Sequence, residues 1–481
     1  MKGEVPAKGT SPFFLIIIKF GTFFTHFEMI LLYPEPYLSY FWCRIKRNRT
    51  NIMKITIKHI CTGLSLCACT CLVNNLPAQA ETTNTAAVSA TETGLDRQSI
   101  MEVARRVADW QIKDYPENKY AKSEPRGWIA GALYMGMFDW AELSGDNTYY
   151  DWLRKIFNRQ SWQVANRMYH ADDVCIAQTY IDFYNKEKNE NMLKPTIARA
   201  DWVLNNPSNG SMDLDYSKGS TIERWTWCDA LFMAPGVYTR LYTLTGNRKY
   251  MHFADSEFRA TYNHLYDKDE DLFYRDSRYI GQKEANGKKV FWGRGNGWVI
   301  GGLAEILKTL PAEDTEFRPF YLELYKEMSE RLAGLQGKDG YWHASLLDPD
   351  SYPSPETSAT GFIVYGLAYG INQGYLPADK YLPVVKKGWE ALTRAVEANG
   401  KLGWVQPVGA DPKKVTRDMT ELYGTGAFLM AASEIYKLVQ SAKPPVHLFK
   451  TKRFYFEVLF QNEASLLEQN QTAFKWTSNP I

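Results

Sequence analysis

The chain reads as an all-α protein, an (α/α)6 barrel in which six helical hairpins close into a toroid. Three observations predict this. From residue 127 to about residue 438 one pattern recurs six times: a loop rich in Trp, Gly and acidic residues runs into an apolar helix studded with small residues. Each of these helices is followed by a more charged helical stretch, and self-similarity at a coarse period marks a repeat architecture. The period is irregular, which favours a closed ring over an open solenoid. Small-residue helices then form the inner wall and charged helices the outer one. In such a ring the loops ahead of the inner helices gather at one mouth, and those loops carry the chain's Trp, Asp, Arg and His.

The inner helices open, in order, with GWIAGALYMGMFDW from Gly127, DDVCIAQTYIDFY from Asp172 and WCDALFMAPGVYTRLY from Trp227. They continue with GRGNGWVIGGLAEIL from Gly293, ETSATGFIVYGLAYGI from Glu356 and ELYGTGAFLMAASEIYKL from Glu421. Stretches such as TYYDWLRKIFNRQ after Asn147 and NRKYMHFADSEFRATYNHL after Gly246 are the outer partners. The first amphipathic helix begins near Asp96, and the repeats fill residues 96–440 as one catalytic-size domain. Residues 441–481 break the pattern and read as a C-terminal tail. Strand signal is thin, and DLFYRDSRYI at 271–280 reads as a hairpin on the mouth.

The first 95 residues read as something other than fold. Met53 begins MKITIKHICTGLSLCACTCLVNNLPAQA. Lys54 and Lys58 form a positive n-region, Ile60–Val73 an apolar h-region, and Ala78-Gln79-Ala80 a small-x-small cleavage site. That is a secretory signal peptide over 53–80, followed by a Thr/Ala linker over 81–95. Residues 1–52 then read as an upstream extension from a wrongly assigned start. Reading the apolar run from Phe13 to Leu32 as a membrane span fits less well, because Lys19, His26 and Glu28 are costly in lipid. A lipid-modified Cys69 is an alternative to the soluble exported form. The expected location is periplasmic or secreted, with no stable membrane span after cleavage.

Composition narrows the partners. The 56 Lys and Arg against 54 Asp and Glu leave no basic excess for nucleic acid. Aromatic residues make up 14% of the chain, and their concentration in the loops at the mouth suits a sugar cleft, since aromatic faces pack on pyranose rings. Only Cys175 and Cys228 lie beyond the leader, and they read as buried thiols. No HExxH motif and no zinc-type Cys/His spacing is present outside the leader, so neither metal nor cofactor is expected.

Four constellations carry candidate chemistry. Asp172 and Asp173 follow His170 and suit helix N-caps. Asp229 has the same capping reading, but Trp225, Trp227 and Phe232 surround it with apolar surface that would raise its pKa. Two carboxylates at neighbouring hairpins can push their pKa values apart and leave one as an acid. GRGNGWV at 293–299 has no strand before it and is not a dinucleotide loop. Its glycines would let the Arg294 fork reach a carboxylate, with Trp292 and Trp298 against a ring. His343 is a further polar candidate at the mouth, and capping alone accounts for Glu356, Thr357 and Ser358.

With these strings in view the chain resembles the unsaturated glucuronyl and rhamnogalacturonyl hydrolases, glycoside hydrolase family 105 and its relative family 88. HADDVCIAQ (170–178), WCDALFMAPGVYTRLYTLTGNRKY (227–250), FWGRGNGWV (291–299) and ETSATG (356–361) carry the resemblance, over about residues 98–440. It implies the (α/α)6 barrel and a metal-free reaction. The enzyme would protonate C4 of a 4,5-unsaturated uronic acid and let water add at C5. The hemiketal would then collapse, releasing the next sugar of a lyase-generated oligosaccharide from pectin or a related acidic glycan. The resemblance implies Asp229 as acid, Asp173 as partner carboxylate, and Arg294 and Trp298 as substrate contacts. Trp292, Trp227, His170, His343 and Arg275 complete the expected site. Where many members of that family have His this chain has Arg275, a departure that leaves the uronate and aglycone preference open. Two other readings stay open: a polysaccharide lyase or sugar epimerase on the same toroid, and a carbohydrate-binding toroid without catalysis.

The leader generates the first prediction. Expression from Met53 should yield exported, active protein whose N-terminal sequencing begins near Glu81. Retention of residues 1–52 in the native protein would refute the wrong-start reading.

Overall fold

A computed structural model describes residues 95–441, together with 13–22, 25–34, 40–47, 51–57, 449–451 and 454–460. The chain divides into two units, Val88–Ser441 and the pair of terminal segments Met1–Ala87 and Ala442–Ile481.

In the larger unit six hairpins account for the architecture. Their helices are α1 (Arg97–Asp114), α2 (Trp128–Ser144), α3 (Asn147–Arg159), α4 (Ala177–Glu187), α5 (Lys194–Asn205) and α6 (Pro235–Thr245). They continue with α7 (Arg248–Leu265), α8 (Gly293–Thr309), α9 (Arg318–Gly334), α10 (Thr357–Asn372), α11 (Ala378–Arg394) and α12 (Leu422–Ser441). The even-numbered helices touch in sequence, α2 to α4, α6, α8, α10 and α12, and α12 returns to α2. The ring is closed, an (α/α)6 toroid. Outer helices are amphipathic: α3 buries Tyr149, Tyr150, Leu153, Ile156 and Phe157, one face at helical spacing. Inner helices are buried all round, as α10 is from Thr357 to Gly370. Asp96 caps α1, its side chain accepting from the Ser99 amide. The hairpin expected at 271–280 is shifted. Tyr266–Asp267 pairs with Leu272–Phe273, and Asp276 instead bridges to Trp227.

Small residues set how closely the inner helices approach. A Cβ on Gly136 would run into the carbonyl of Gly426, and one on Gly426 into the carbonyl of Ala132. Backbone therefore packs on backbone where α2 and α12 close the ring.

The terminal unit is built from strands β1 (Phe13–Thr22), β2 (Thr25–Pro34), β3 (Tyr40–Arg47), β4 (Asn51–Ile57), β7 (Phe449–Thr451) and β8 (Phe454–Phe460), with β5 and β6 being the short hairpin strands above. They form a six-stranded antiparallel sheet in the order β4-β3-β2-β1-β8-β7. The apolar run from Phe13 to Leu32 is thus a β-hairpin, with Lys19 paired to Glu28. Among the described residues no helix is long and apolar enough to cross a membrane. Of the signal-peptide reading, residues 58–80 lie outside the described residues, as do linker residues 81–94.

Ring closure predicts an inverted glycine effect. In an open helix Gly→Ala stabilises by roughly 1 kcal/mol. Gly136→Ala should instead destabilise, by ~1–3 kcal/mol, whereas Gly334→Ala in α9, whose added Cβ would meet nothing within 4 Å, should be neutral or better. Thermal unfolding of the two variants side by side checks this.

Candidate active site

Loops ahead of four inner helices build one cavity of about 360 Å³. Trp128 comes from the start of α2. Arg167, His170 and Asp172 come from the segment before α4, Trp227 and Asp229 from the segment before α6, and Val408, Gly409 and Ala410 from the loop before α12. Arg275, which follows the short hairpin, and exposed Tyr216 complete the wall.

Local backbone structure fixes each side chain. His170 precedes the 3₁₀ turn Ala171–Val174, and its Nδ1 accepts from the Asp172 amide at 3.3 Å. The ring also packs on Trp227, centroids 4.8 Å apart. The Cys228 amide donates to the Arg275 carbonyl at 2.8 Å, which stitches the Asp229 segment to the Arg275 segment. Across this seam Arg275 Nε donates to Asp229 Oδ2 at 3.3 Å. Its Nη1 donates to Asp276 Oδ2 at 2.8 Å and to the Tyr216 hydroxyl at 3.1 Å.

Burial governs the electrostatics. It pushes the Asp172 carboxyl up to about 7; the Arg167 charge opposes this, and the charges of Asp229 and Asp173 add to it. Burial also raises Asp229, against the lowering charges of Arg275 and Arg294. His170 is pushed down to about 4, first by burial and then by Arg167, so its imidazole is neutral at neutral pH. Two carboxyls with raised pKa values thus line one cavity. Asp276 is the opposite case: burial raises it, but Arg278 and Arg275 outweigh burial and hold its carboxyl below the usual range.

The structure brings Asp229, His170, Trp227 and Arg275 of the expected residues to this cavity. It seats the others elsewhere. Asp173 is consumed by Arg167, accepting from its backbone N at 2.6 Å, Nε at 3.0 Å and Nη2 at 2.5 Å. Its neighbour Asp172 faces Asp229 instead. Asp172 lines this cavity, whereas Asp173, with Asp172, lines a neighbouring one. Arg294 is fully buried and does not line it. Its Nη1 donates to the Gln406 carbonyl at 2.6 Å and its Nη2 to the Pro407 carbonyl at 2.9 Å. The Trp292 and Tyr423 rings sandwich the guanidinium, 4.4 and 4.8 Å from their centroids. Trp292 Nε1 donates to Gln406 Oε1 at 3.1 Å. The GRGNGWV motif therefore holds the loop that forms one wall. Trp298 is buried among Phe362, Phe232 and Trp128. His343 bonds the Ser354 carbonyl at 2.9 Å and sits 3.4 Å from Asp339, pinning its own loop. Glu356 caps α10, accepting from the Ser358 and Ala359 amides. Among the described residues no cluster of His, Cys, Asp and Glu is arranged to hold a metal ion.

Sequence reasoning missed Arg167, Trp128, Tyr216 and the 408–410 loop. Trp128 was legible, since it opens the first repeat as Trp227 opens the third. Arg167 had a signal in its distance of six residues from Asp173, but not the others.

The family model described as Glycosyl Hydrolase Family 88 matches residues 103–439, and the chain belongs to that family. It is a glycoside hydrolase. Two relatives are both named unsaturated 3S-rhamnoglycuronyl hydrolase. One, from Alteromonas sp. (strain LOR), is 36% identical over 80% of this chain and 98% of its own length. The other, from Formosa agariphila, is 40% identical over 72% and 92%. A solved structure named as a polysaccharide lyase is 30% identical, with a TM-score of 0.66 over 72% of this chain and 99% of its own.

The raised Asp172 carboxyl has a stability consequence. Below about pH 4 it is protonated folded and unfolded alike and costs nothing. As pH rises from about 4 to about 7 the unfolded chain ionises this group while the folded state keeps its proton, so stability is lost across that window and levels off above it. Asp172→Asn should match wild type near pH 4 and exceed it by roughly 2–4 kcal/mol above pH 7. Calorimetric melting across that range reads the difference; a pH-independent gap would mean a solvated carboxyl.

Proposed function

We propose that the enzyme removes a terminal 4,5-unsaturated uronic acid from lyase-generated oligosaccharides by protonation and hydration of the double bond. The observation that carries this reading is the buried Asp172–Asp229 pair facing one cavity. Ordinary glycoside hydrolysis places two carboxyl groups on either side of an anomeric carbon. A pair whose carboxyls burial raises above their usual range suits an enol ether instead, because the first step needs a proton.

Asp229 gives its proton to C4. The Arg275 guanidinium at 3.3 Å stabilises the carboxylate left behind, while burial keeps the Asp229 carboxyl above its usual range. Water adds at C5 and loses a proton to Asp229, restoring it. The resulting hemiketal opens to a keto-uronate and frees the next sugar. Asp172 stays protonated up to about pH 7 and hydrogen-bonds a ring hydroxyl. Trp128 and Trp227 cover the ring faces, and Arg167, whose Nη1 is not used by Asp173, meets the uronate carboxylate. The names of the two relatives favour a rhamnose-linked glycuronyl substrate over a pectin fragment. The signal-peptide reading from Met53 makes it an exported enzyme.

The strongly raised Asp172 supports a second assignment of the same reaction, with Asp172 as donor and Asp229 as partner. A lyase reading has the neighbour named polysaccharide lyase in its favour. It needs a base to abstract the C5 proton, and it would create the absorbance of the unsaturated acid where hydration destroys it.

Asp229→Asn should lower turnover by ~10²–10⁴-fold with binding retained. In deuterium oxide wild type should place one deuterium at C4 of the released keto-uronate. Activity should fall as pH rises and the raised carboxyls of Asp172 and Asp229 ionise. If Asp229→Asn still bleaches the substrate at wild-type rate while Asp172→Asn does not, the donor is Asp172. A rise in absorbance on intact polymer would establish a lyase.

A further inference from the structure

Arg275 meets Asp229 through a single atom. Its Nε donates to Asp229 Oδ2 at 3.3 Å, while Nη2, on the same edge of the guanidinium, has no acceptor among the described residues. A guanidinium beside a carboxylate frequently closes into a bidentate pair with two parallel donations. Here it does not, and the cause lies on the opposite side of the same group. Nη1 donates to Asp276 Oδ2 at 2.8 Å and to the Tyr216 hydroxyl at 3.1 Å. The shorter of the two ion pairs of Arg275 is therefore the one that draws it away from Asp229.

Asp276 is itself held firmly. It is fully buried and stands outside the cavity wall. Its Oδ1 accepts from the Arg278 backbone N at 3.0 Å and from Arg278 Nε at 2.8 Å, and its Oδ2 also accepts from Arg278 Nη2 at 2.9 Å. Burial raises the carboxyl, but Arg278 and Arg275 outweigh burial, so Asp276 keeps its charge. Its backbone bridges to Trp227, next to the Cys228 amide that donates to the Arg275 carbonyl. Asp229 and Asp276 thus sit on paired segments, and one guanidinium is shared between them. The reaction above gives Asp276 no part.

We propose that Asp276 is a positioning residue for Asp229: by holding Nη1 of Arg275 it keeps the guanidinium in single contact with Asp229 and out of a bidentate pair. The proposal rests on Asp229 as the proton donor and says what sets its strength. A bidentate Arg275 would favour the Asp229 anion and leave less acid to donate. Asp229 is also faced by the Arg294 charge, by the Cys228 thiol, whose Sγ is 3.5 Å from Oδ1, and by Asp172 across the cavity.

Carbon NMR of aspartate-labelled protein reads the contact without turnover, the Asp229 signal being the one that Asp229→Asn removes. Asp276→Asn keeps the shape but gives up the charge, so Arg275 should close on Asp229. The Asp229 titration midpoint should then fall by about one pH unit, a tenfold change in its ionisation constant. Above the new midpoint kcat should fall roughly tenfold with KM little changed, and at lower pH kcat should recover, which a misfolded loop would not allow. Asp276→Glu should restore part of the midpoint. In an Arg275→Gln background Asp276→Asn should move the midpoint much less, because its effect runs through Arg275. Arg278→Gln leaves Asp276 to Arg275 alone and should move the midpoint the other way, upward, which tests the hold even if Asp276→Asn fails to fold. A midpoint that stays in place, one that falls in both variants, or one that falls equally without Arg275 overturns the proposal. If the midpoints move as expected while Asp229→Asn turns over like wild type, the donor assignment fails and the hold on Arg275 stands.

Discussion

Close approach of the inner helices is the constraint on which the rest of the structure depends. Where Gly136 meets Gly426 and Gly426 meets Ala132, backbone touches backbone, so α12 can return to α2 and close the ring. Closure forces the loops ahead of the inner helices to one mouth. Those loops come from residues 127, 170, 227 and 408, far apart in sequence, yet they wall one cavity. A chain with larger residues at these contacts would splay, and the loops would no longer converge.

Convergence alone does not make a stiff wall. The loop at 406–410 has no regular structure, and its backbone groups are satisfied by distant side chains. Arg294 supplies two charge-assisted donations, worth about 1.5–3 kcal/mol each, and two aromatic faces add up to about 2 kcal/mol for a desolvated cation. The Tyr423 hydroxyl donates to the same Gln406 carbonyl at 2.5 Å, and Glu356 accepts from the Gln406 amide at 3.0 Å. A cation in the middle of the barrel is tolerable because these partners replace its water. Its charge is still felt at Asp229, where it opposes the effect of burial. Arg294 therefore acts on the cavity from behind, through the loop and through its field.

Much of this was legible in the sequence, and the failures share a cause. Repeats, small residues and charged partner helices specify the toroid because each is a property of a whole segment. Asp229, His170, Trp227 and Arg275 were found because they cluster in the loops that closure must bring together. Asp173 was chosen over Asp172, and Arg294 and Trp298 were set against substrate, because side-chain direction is decided by the partners a residue meets. Asp173 meets Arg167 and turns away; Arg294 meets two carbonyls more than 110 residues downstream. A motif string reports which residues are together and not which way they face. The apolar run at 13–32, disfavoured as a membrane span because of Lys19, His26 and Glu28, forms a pair of strands with Lys19 opposite Glu28; an apolar run alone suits either a helix or buried strands.

The cavity's chemistry follows from a contest between burial and charge at two aspartates. Burial alone would leave both protonated and too weakly acidic to give up a proton readily. Arg275 alone would ionise Asp229 and leave nothing to donate. Their opposition at Asp229, with burial prevailing, yields a carboxyl raised above its usual range that has a counter-ion waiting once a proton has gone. Asp172 has its nearest cation already engaged by Asp173, so burial wins there by a wider margin. The Arg167–Asp173 pair is thus part of the same balance. It withdraws one carboxylate from the cavity, leaves its neighbour protonated, and keeps one arm of a guanidinium at the boundary between the two cavities. Replacing Arg275 by histidine would move this balance, since a neutral imidazole stabilises the departing carboxylate less than a guanidinium does.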